Sequence, residues 1–150
     1  MKNFFKQSPP SSRSDLNTFQ REHFCSLIQL LIEGALGQFQ VRVTSDLPED
    51  GWERFTDSRE YQLFLTGAYA CGFVCSDLRP DVDIDRVNRS PENHVDKFDL
   101  KDLRHFVHTM MRSERSNFGF GSAIWESMRS GTLELLMGRL AHDPRLLDPL

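Results

Sequence analysis

Asp99-Leu100-Lys101-Asp102-Leu103-Arg104-His105-Phe106-Val107-His108-Thr109-Met110-Met111-Arg112-Ser113-Glu114-Arg115 is the stretch that decides the fold. Leu103, Phe106, Val107, Met110 and Met111 recur every three or four residues, the spacing of one face of an α-helix. Asp99 stands where a cap is needed, Asp102 puts acid in the first turn, and Arg112 and Arg115 put base in the last. Each of these placements suits the helix dipole. A helix with so marked an apolar face needs other elements to cover it, and the flanking sequence supplies mainly further helices.

Working outward toward the C-terminus, Gly119 and Gly121 stop this helix and open another over residues 122–129. Ser130-Gly131 breaks the chain again, Thr132 is placed to cap a helix over 133–142, and Pro144 ends it. Toward the N-terminus, Asp57 or Ser58 caps a helix whose stripe is Tyr61, Leu65, Ala68, Tyr69 and Gly72. Phe73 and Val74 follow it into the interior. A first helix starts near Ser14 or Asp15, carries Leu16, Phe19, His23, Leu27, Leu30 and Leu31 at helical spacing, and stops at Gly34 or Gly37. Phe39, Val41 and Val43 then alternate with polar residues, which predicts a short strand. Residues 46–57 form a loop from which Trp52 and Phe55 fold back on the core, and 76–97, with Pro80, Pro91 and many aspartates, form a second and longer one. The fold expected is mainly α: a single compact bundle of about five helices over residues 15–143, with at most one short strand pair. A flexible N-terminal arm, 1–14, precedes it and a tail, 144–150, follows.

At 150 residues the chain has the size of one domain, and 39% apolar residues suffice for a core. The longest apolar run, 27–32, is itself broken by Gln29, far short of the roughly 20 residues of a membrane crossing. After Met1-Lys2 only Phe4-Phe5 precedes polar sequence, so no secretory leader is expected. Three cysteines, without metal-binding spacing, point to free thiols in a reducing, cytoplasmic compartment. The net charge of −4 disfavours nucleic acid as a partner. The acidity is concentrated in the middle third, so oppositely charged surfaces are expected to meet within the fold or across a partner.

Four features invite a functional reading. Asp81, Asp83, Asp85 and Glu92 occupy oxygen-ligand positions of an EF-hand calcium loop. However, Arg86 stands where the loop's sharp turn favours glycine, and Pro91 precedes the would-be bidentate Glu92. No metal is expected. Cys71 and Cys75, four apart, match neither a redox pair nor a zinc site and read as space-filling thiols, as does Cys25. Phe118-Gly119-Phe120-Gly121-Ser122 has the Gly-x-Gly of an anion-binding turn but no preceding strand and no following lysine, so it reads as a turn between helices. The fourth feature is the strongest. Arg104, His108, Arg112 and Arg115 follow one another at intervals of four, four and three, which lines them along one ridge of the helix. Guanidinium forks hold oxyanions two bonds at a time, so the ridge suits a phosphate or an acidic protein surface. Glu114 and His105 lie close enough to bring acid–base chemistry into view. The competing reading is structural: Arg104 paired with Asp99, and Arg112 or Arg115 with Glu126 or the acidic middle segment.

The run 102–115 also resembles a helix of a bacterial family of unknown function, with Leu-Arg, an apolar stretch, then Arg-x-acid-Arg and a glycine. Gly119, Ser130-Gly131 with Leu133, and Leu136 through Arg139-Leu140 extend the likeness, as does the helix from Ser58 to Phe73, over roughly residues 55–142. The chain departs from that pattern in 76–96, long and acidic where the family has a compact Trp-containing loop. The resemblance implies a small, mainly helical bacterial domain, and its Arg-x-acid-Arg cluster falls on Arg112, Glu114 and Arg115. The function expected is that of a small cytosolic binding or regulatory protein acting through protein–protein contact, with Arg104, His108, Arg112, Glu114 and Arg115 as the contact residues and no cofactor. The alternatives are an anion- or phosphate-binding protein or enzyme using the arginines, and nucleic-acid binding.

Overall fold

Helix α1, Thr18–Phe39, opens on a reciprocal cap: the Asn17 side chain accepts from Gln20 N at 2.8 Å, and the Gln20 side chain accepts from Asn17 N at 2.8 Å. The structure is a computed structural model that describes residues 17–74, 79, 81–116 and 121–142. The expected start at Ser14 or Asp15, the arm, Cys75, Gly119 and the tail lie outside these residues. After α1 come α2 (Trp52–Phe55), α3 (Arg59–Ala70), α4 (Ile84–Arg89), α5 (Pro91–His94), α6 (Leu100–Ser116), α7 (Ala123–Arg129) and α8 (Thr132–His142). The described residues thus form eight α-helices and two 3₁₀ turns, Thr44–Asp46 and Val95–Lys97, rather than about five helices, and they contain no strand.

Two sequence signals account for the missing strand and for α4 and α5. Gly34 and Gly37 do not stop α1. A Cβ at Gly34 would lie 2.7 Å from Glu60 Cγ, so this glycine lets α3 approach rather than ending the helix. The chain turns instead at Gln40, which takes a left-handed conformation (φ 55°) while Val41 N bonds to Leu36 O and Gln40 N to Gly37 O. The alternation expected for a strand over Phe39, Val41 and Val43 is therefore spent on a helix end. The acidic stretch, in turn, is helical where its own residues start helices. Asp83 caps α4 by accepting from Arg86 N at 3.0 Å, and Pro91 occupies the first turn of α5, where its missing N–H costs nothing. Ile84, Val87, Pro91 and Val95 are buried at helical spacing.

The core joins these pieces around α1, which packs on α3 along one side and on α8 along another. Phe24 stacks on Phe73 at 4.2 Å between ring centres and leans on Phe64 at 5.5 Å. Trp125 of α7 packs against Phe39 and Phe55 and donates to Pro48 O at 2.9 Å, which fixes the 46–57 segment on the core; the segment is not all loop as expected, since Trp52–Phe55 form α2. No helix among the described residues is long and apolar enough to cross a membrane.

Candidate functional site: a cleft between α3 and α6

Helix α6 is unbroken, so its ridge is continuous, and it starts as the sequence predicts. Asp102 N donates to Asp99 Oδ1 at 2.8 Å and Asp99 N to Asp102 Oδ2 at 3.1 Å. Burial divides the ridge in two. Arg104 and His108 are fully buried, whereas Arg112 and Arg115 are exposed. Arg104 Nε donates to Gly72 O at 3.1 Å, where the chain leaves α3. Gly72, at φ 82°, closes α3 in the left-handed conformation that favours glycine. Asp99 is spent on capping α6, and Glu126 pairs with Arg129 at 3.0 Å. Two of the acidic partners proposed on sequence grounds, Asp99 and Glu126, are thus engaged in a cap and an ion pair of their own, and Arg112 and Arg115 form no hydrogen bond or ion pair with any described residue. The remaining candidates are likewise accounted for. Among the described residues, no three His, Cys, Asp or Glu side chains gather as a metal-holding group. Asp81 meets His105 Nε2 at 2.9 Å, and the same nitrogen contacts Arg79 O.

Glu114, the fifth candidate, is buried on the neighbouring ridge and has three kinds of donor. Tyr61 Oη donates to Oε2 in a short hydrogen bond, Ser122 Oγ lies 2.7 and 2.9 Å from the two carboxylate oxygens, and Ile124 N donates to Oε1 at 2.9 Å. Ser122 is the cap of α7, accepting from Trp125 N at 3.1 Å, so the carboxylate sits against the positive end of that helix. Tyr61 is in turn held by the start of α3, where Tyr61 N donates to Ser58 Oγ at 3.1 Å, and its ring meets Phe55 edge-on. Burial, together with the hydrogen bond to Glu114 and its negative charge, pushes the Tyr61 phenol well above its usual pKa.

Tyr61 meets Glu114 at one end of the helix pair and Gly72 meets Arg104 at the other, so α3 and α6 run antiparallel. Between them lies a cleft of about 610 Å³. Thr56, Asp57, Tyr61, Glu114 and Arg115 line its polar end, and Leu65, Tyr69 and Met111 form its apolar wall. Both helices carry a stripe that leaves the core here. On α3 it passes from buried Tyr61 through half-buried Leu65 to Tyr69, 44% exposed. On α6 it passes from Arg104 and His108 through Met111 to Arg115. Tyr61, Leu65, Tyr69 and Met111 are legible in the sequence as apolar stripes, but their shared cleft is not, because no local pattern pairs α3 with α6.

The thiols are consistent with the filling role read from the sequence. Cys25 and Cys71 are free; burial pushes the Cys25 thiol up to about 11 and raises that of Cys71. The chain matches no family model, no curated protein and no solved structure.

Proposed function

We propose that the chain is a small cytosolic bacterial binding protein that works by contact with a protein partner at the α3/α6 cleft. One observation carries this reading: Arg115, bound to no described residue, stands at the mouth of a largely apolar cleft, with exposed Arg112 one turn before it on the same helix. Apolar walls supply affinity by removing surface from water, and a waiting guanidinium supplies orientation. The chemistry of the two titratable groups at the floor favours binding over catalysis. The Tyr61 proton is committed to Glu114, the carboxylate is already surrounded by donors, and a phenol raised so far is a poor acid at neutral pH. A small anionic ligand is a second reading, favoured by the volume, which lies within the range of small-molecule sites.

Affinity capture from the host's extract tests the first reading. Wild-type protein should retain a partner that Arg115→Glu and Tyr69→Glu release, while Arg89→Glu, an exposed position of α4, still holds it. Retention by all three variants would remove the cleft from consideration. A thermal upshift by a small carboxylate, lost in Arg115→Ala, would favour the second reading.

A further inference from the structure

We infer that the cleft's occupant is an amphipathic acidic helix of a protein partner, which seats an apolar side chain against Leu65, Tyr69 and Met111 and presents a carboxylate one turn away to Arg115. The inference rests on the proposed function and adds the chemistry of the partner. Its first basis is charge. Arg115 and Arg112 form no ion pair with the described residues, although the chain carries a net charge of −4 and is rich in carboxylates. Glu126 is paired with Arg129, and Glu114, next to Arg115 in the chain, is taken up by Tyr61, Ser122 and Ile124. The cationic end of α6 thus remains open to an acid from outside. Asp57, on the same rim, carries the opposite charge and disfavours a second acid there, so it faces a donor of the incoming segment.

The second basis is spacing. Met111 and Arg115 are four residues apart on an intact helix, a rise of about 6 Å. A partner that matches both needs an apolar group and a carboxylate separated by a similar distance, which a helix provides at positions i and i+4. The cleft itself runs between two antiparallel helices, a groove into which a third helix lays its apolar face.

Fluorescence anisotropy with synthetic helical peptides tests this. One peptide carries Leu at i and Glu at i+4; its twin carries Lys in place of Glu. The Glu peptide should bind wild-type protein about tenfold more tightly than the Lys peptide, with an affinity that weakens as salt rises. In Arg115→Glu the preference should invert, a readout that mere loss of packing does not produce. Both Arg115 and Tyr69 are exposed, so Arg115→Glu and Tyr69→Glu leave the fold intact. Equal binding of the two peptides, abolished by Tyr69→Glu, would overturn the acidic partner while leaving the cleft as the binding site. Binding indifferent to Tyr69→Glu, or no binding of either peptide at millimolar concentration, would overturn both. Displacement of the Glu peptide by octanoate alone at comparable concentration would assign the cleft to a small carboxylate instead.

Discussion

The Glu114 carboxylate and the Tyr61 hydroxyl meet at the floor of the α3/α6 cleft, and through that contact three helices are held together. Glu114 belongs to α6, Tyr61 to α3, and the carboxylate's other donors, Ser122 Oγ and Ile124 N, belong to the start of α7. A buried carboxylate is tolerated only where donors replace the water it has lost. Here they do, and the arrangement makes one side chain both the wall of the cleft and the clasp of the bundle.

Replacing Glu114 by Ala leaves the Ile124 N–H and the Tyr61 and Ser122 hydroxyls without their acceptor. A cost of about 3 kcal/mol in urea unfolding is expected. Tyr61→Phe removes one donor and leaves the others, so about 1.5 kcal/mol is expected. A Glu114→Ala protein as stable as Tyr61→Phe would show that Ser122 and Ile124 find other partners, and the clasp would be weaker than its geometry implies.

The arginines of α6 should separate sharply under the same measurement. Arg104 is fully buried and donates to Gly72 O, so Arg104→Ala opens a void and orphans a carbonyl; about 3 kcal/mol or more is expected. Arg112 is exposed and bound to no described residue, and Arg112→Ala should stay within about 0.5 kcal/mol of wild type. Comparable losses in both would mean that Arg112 has a structural partner.

These contrasts mark what the sequence could show. The period of Leu103, Phe106, Val107, Met110 and Met111, and the caps at Asp99 and Ser58, are local signals, and α6 and α3 begin where they indicate. The spacing of Arg104, His108, Arg112 and Arg115 places them on one ridge, as the helix does. Spacing does not tell which half of a ridge another element covers. That Gly72 closes over Arg104 while Arg115 stays open depends on how α3 docks, a relation between residues far apart in the chain. Tyr61 read as a core aromatic for the same reason: its hydroxyl acquires a role only when Glu114 arrives from α6. The short helices of the acidic segment were within reach, since Ile84, Val87, Pro91 and Val95 keep a helical period. Composition rich in Asp and Pro concealed it.

Raised acid pKa values give stability a defined pH dependence. Tyr61, Cys25 and Cys71 all hold their protons more tightly in the folded chain, chiefly because burial disfavours the charged forms. In the unfolded chain the thiols ionise from about their ordinary value of 9.0 and the phenol from 10.0. Above that point the unfolded state binds fewer protons than the native one, so stability falls as pH rises. Below pH 9 the contribution is fully present. Urea midpoints should therefore stay level from about pH 7 to 8.5 and decline from about pH 9 upward. The double variant Tyr61→Phe/Cys25→Ala, less stable at neutral pH, should show a shallower alkaline decline. An unchanged slope would place the alkaline sensitivity in other groups.

The end of α1 offers a gain rather than a loss. Gln40 closes the helix at φ 55°, in the region where a Cβ crowds the neighbouring backbone, while Val41 N and Gln40 N complete the bonds back to Leu36 O and Gly37 O. Gln40 is exposed, so its side chain contributes little packing to set against that strain. Gln40→Gly should raise stability by about 1 kcal/mol, reduced somewhat by the greater freedom of glycine in the unfolded chain. Gly131, at φ 88° between α7 and α8, has open space around it, and a Cβ there would touch nothing within 4 Å. Gly131→Ala should nevertheless cost about 1 kcal/mol, because the penalty lies in the backbone conformation and not in a clash. Opposite shifts of the melting temperature in the two variants are the expected result. If Gly131→Ala melts with wild type, the backbone relaxes at that turn and α8 is free to reorient against α7.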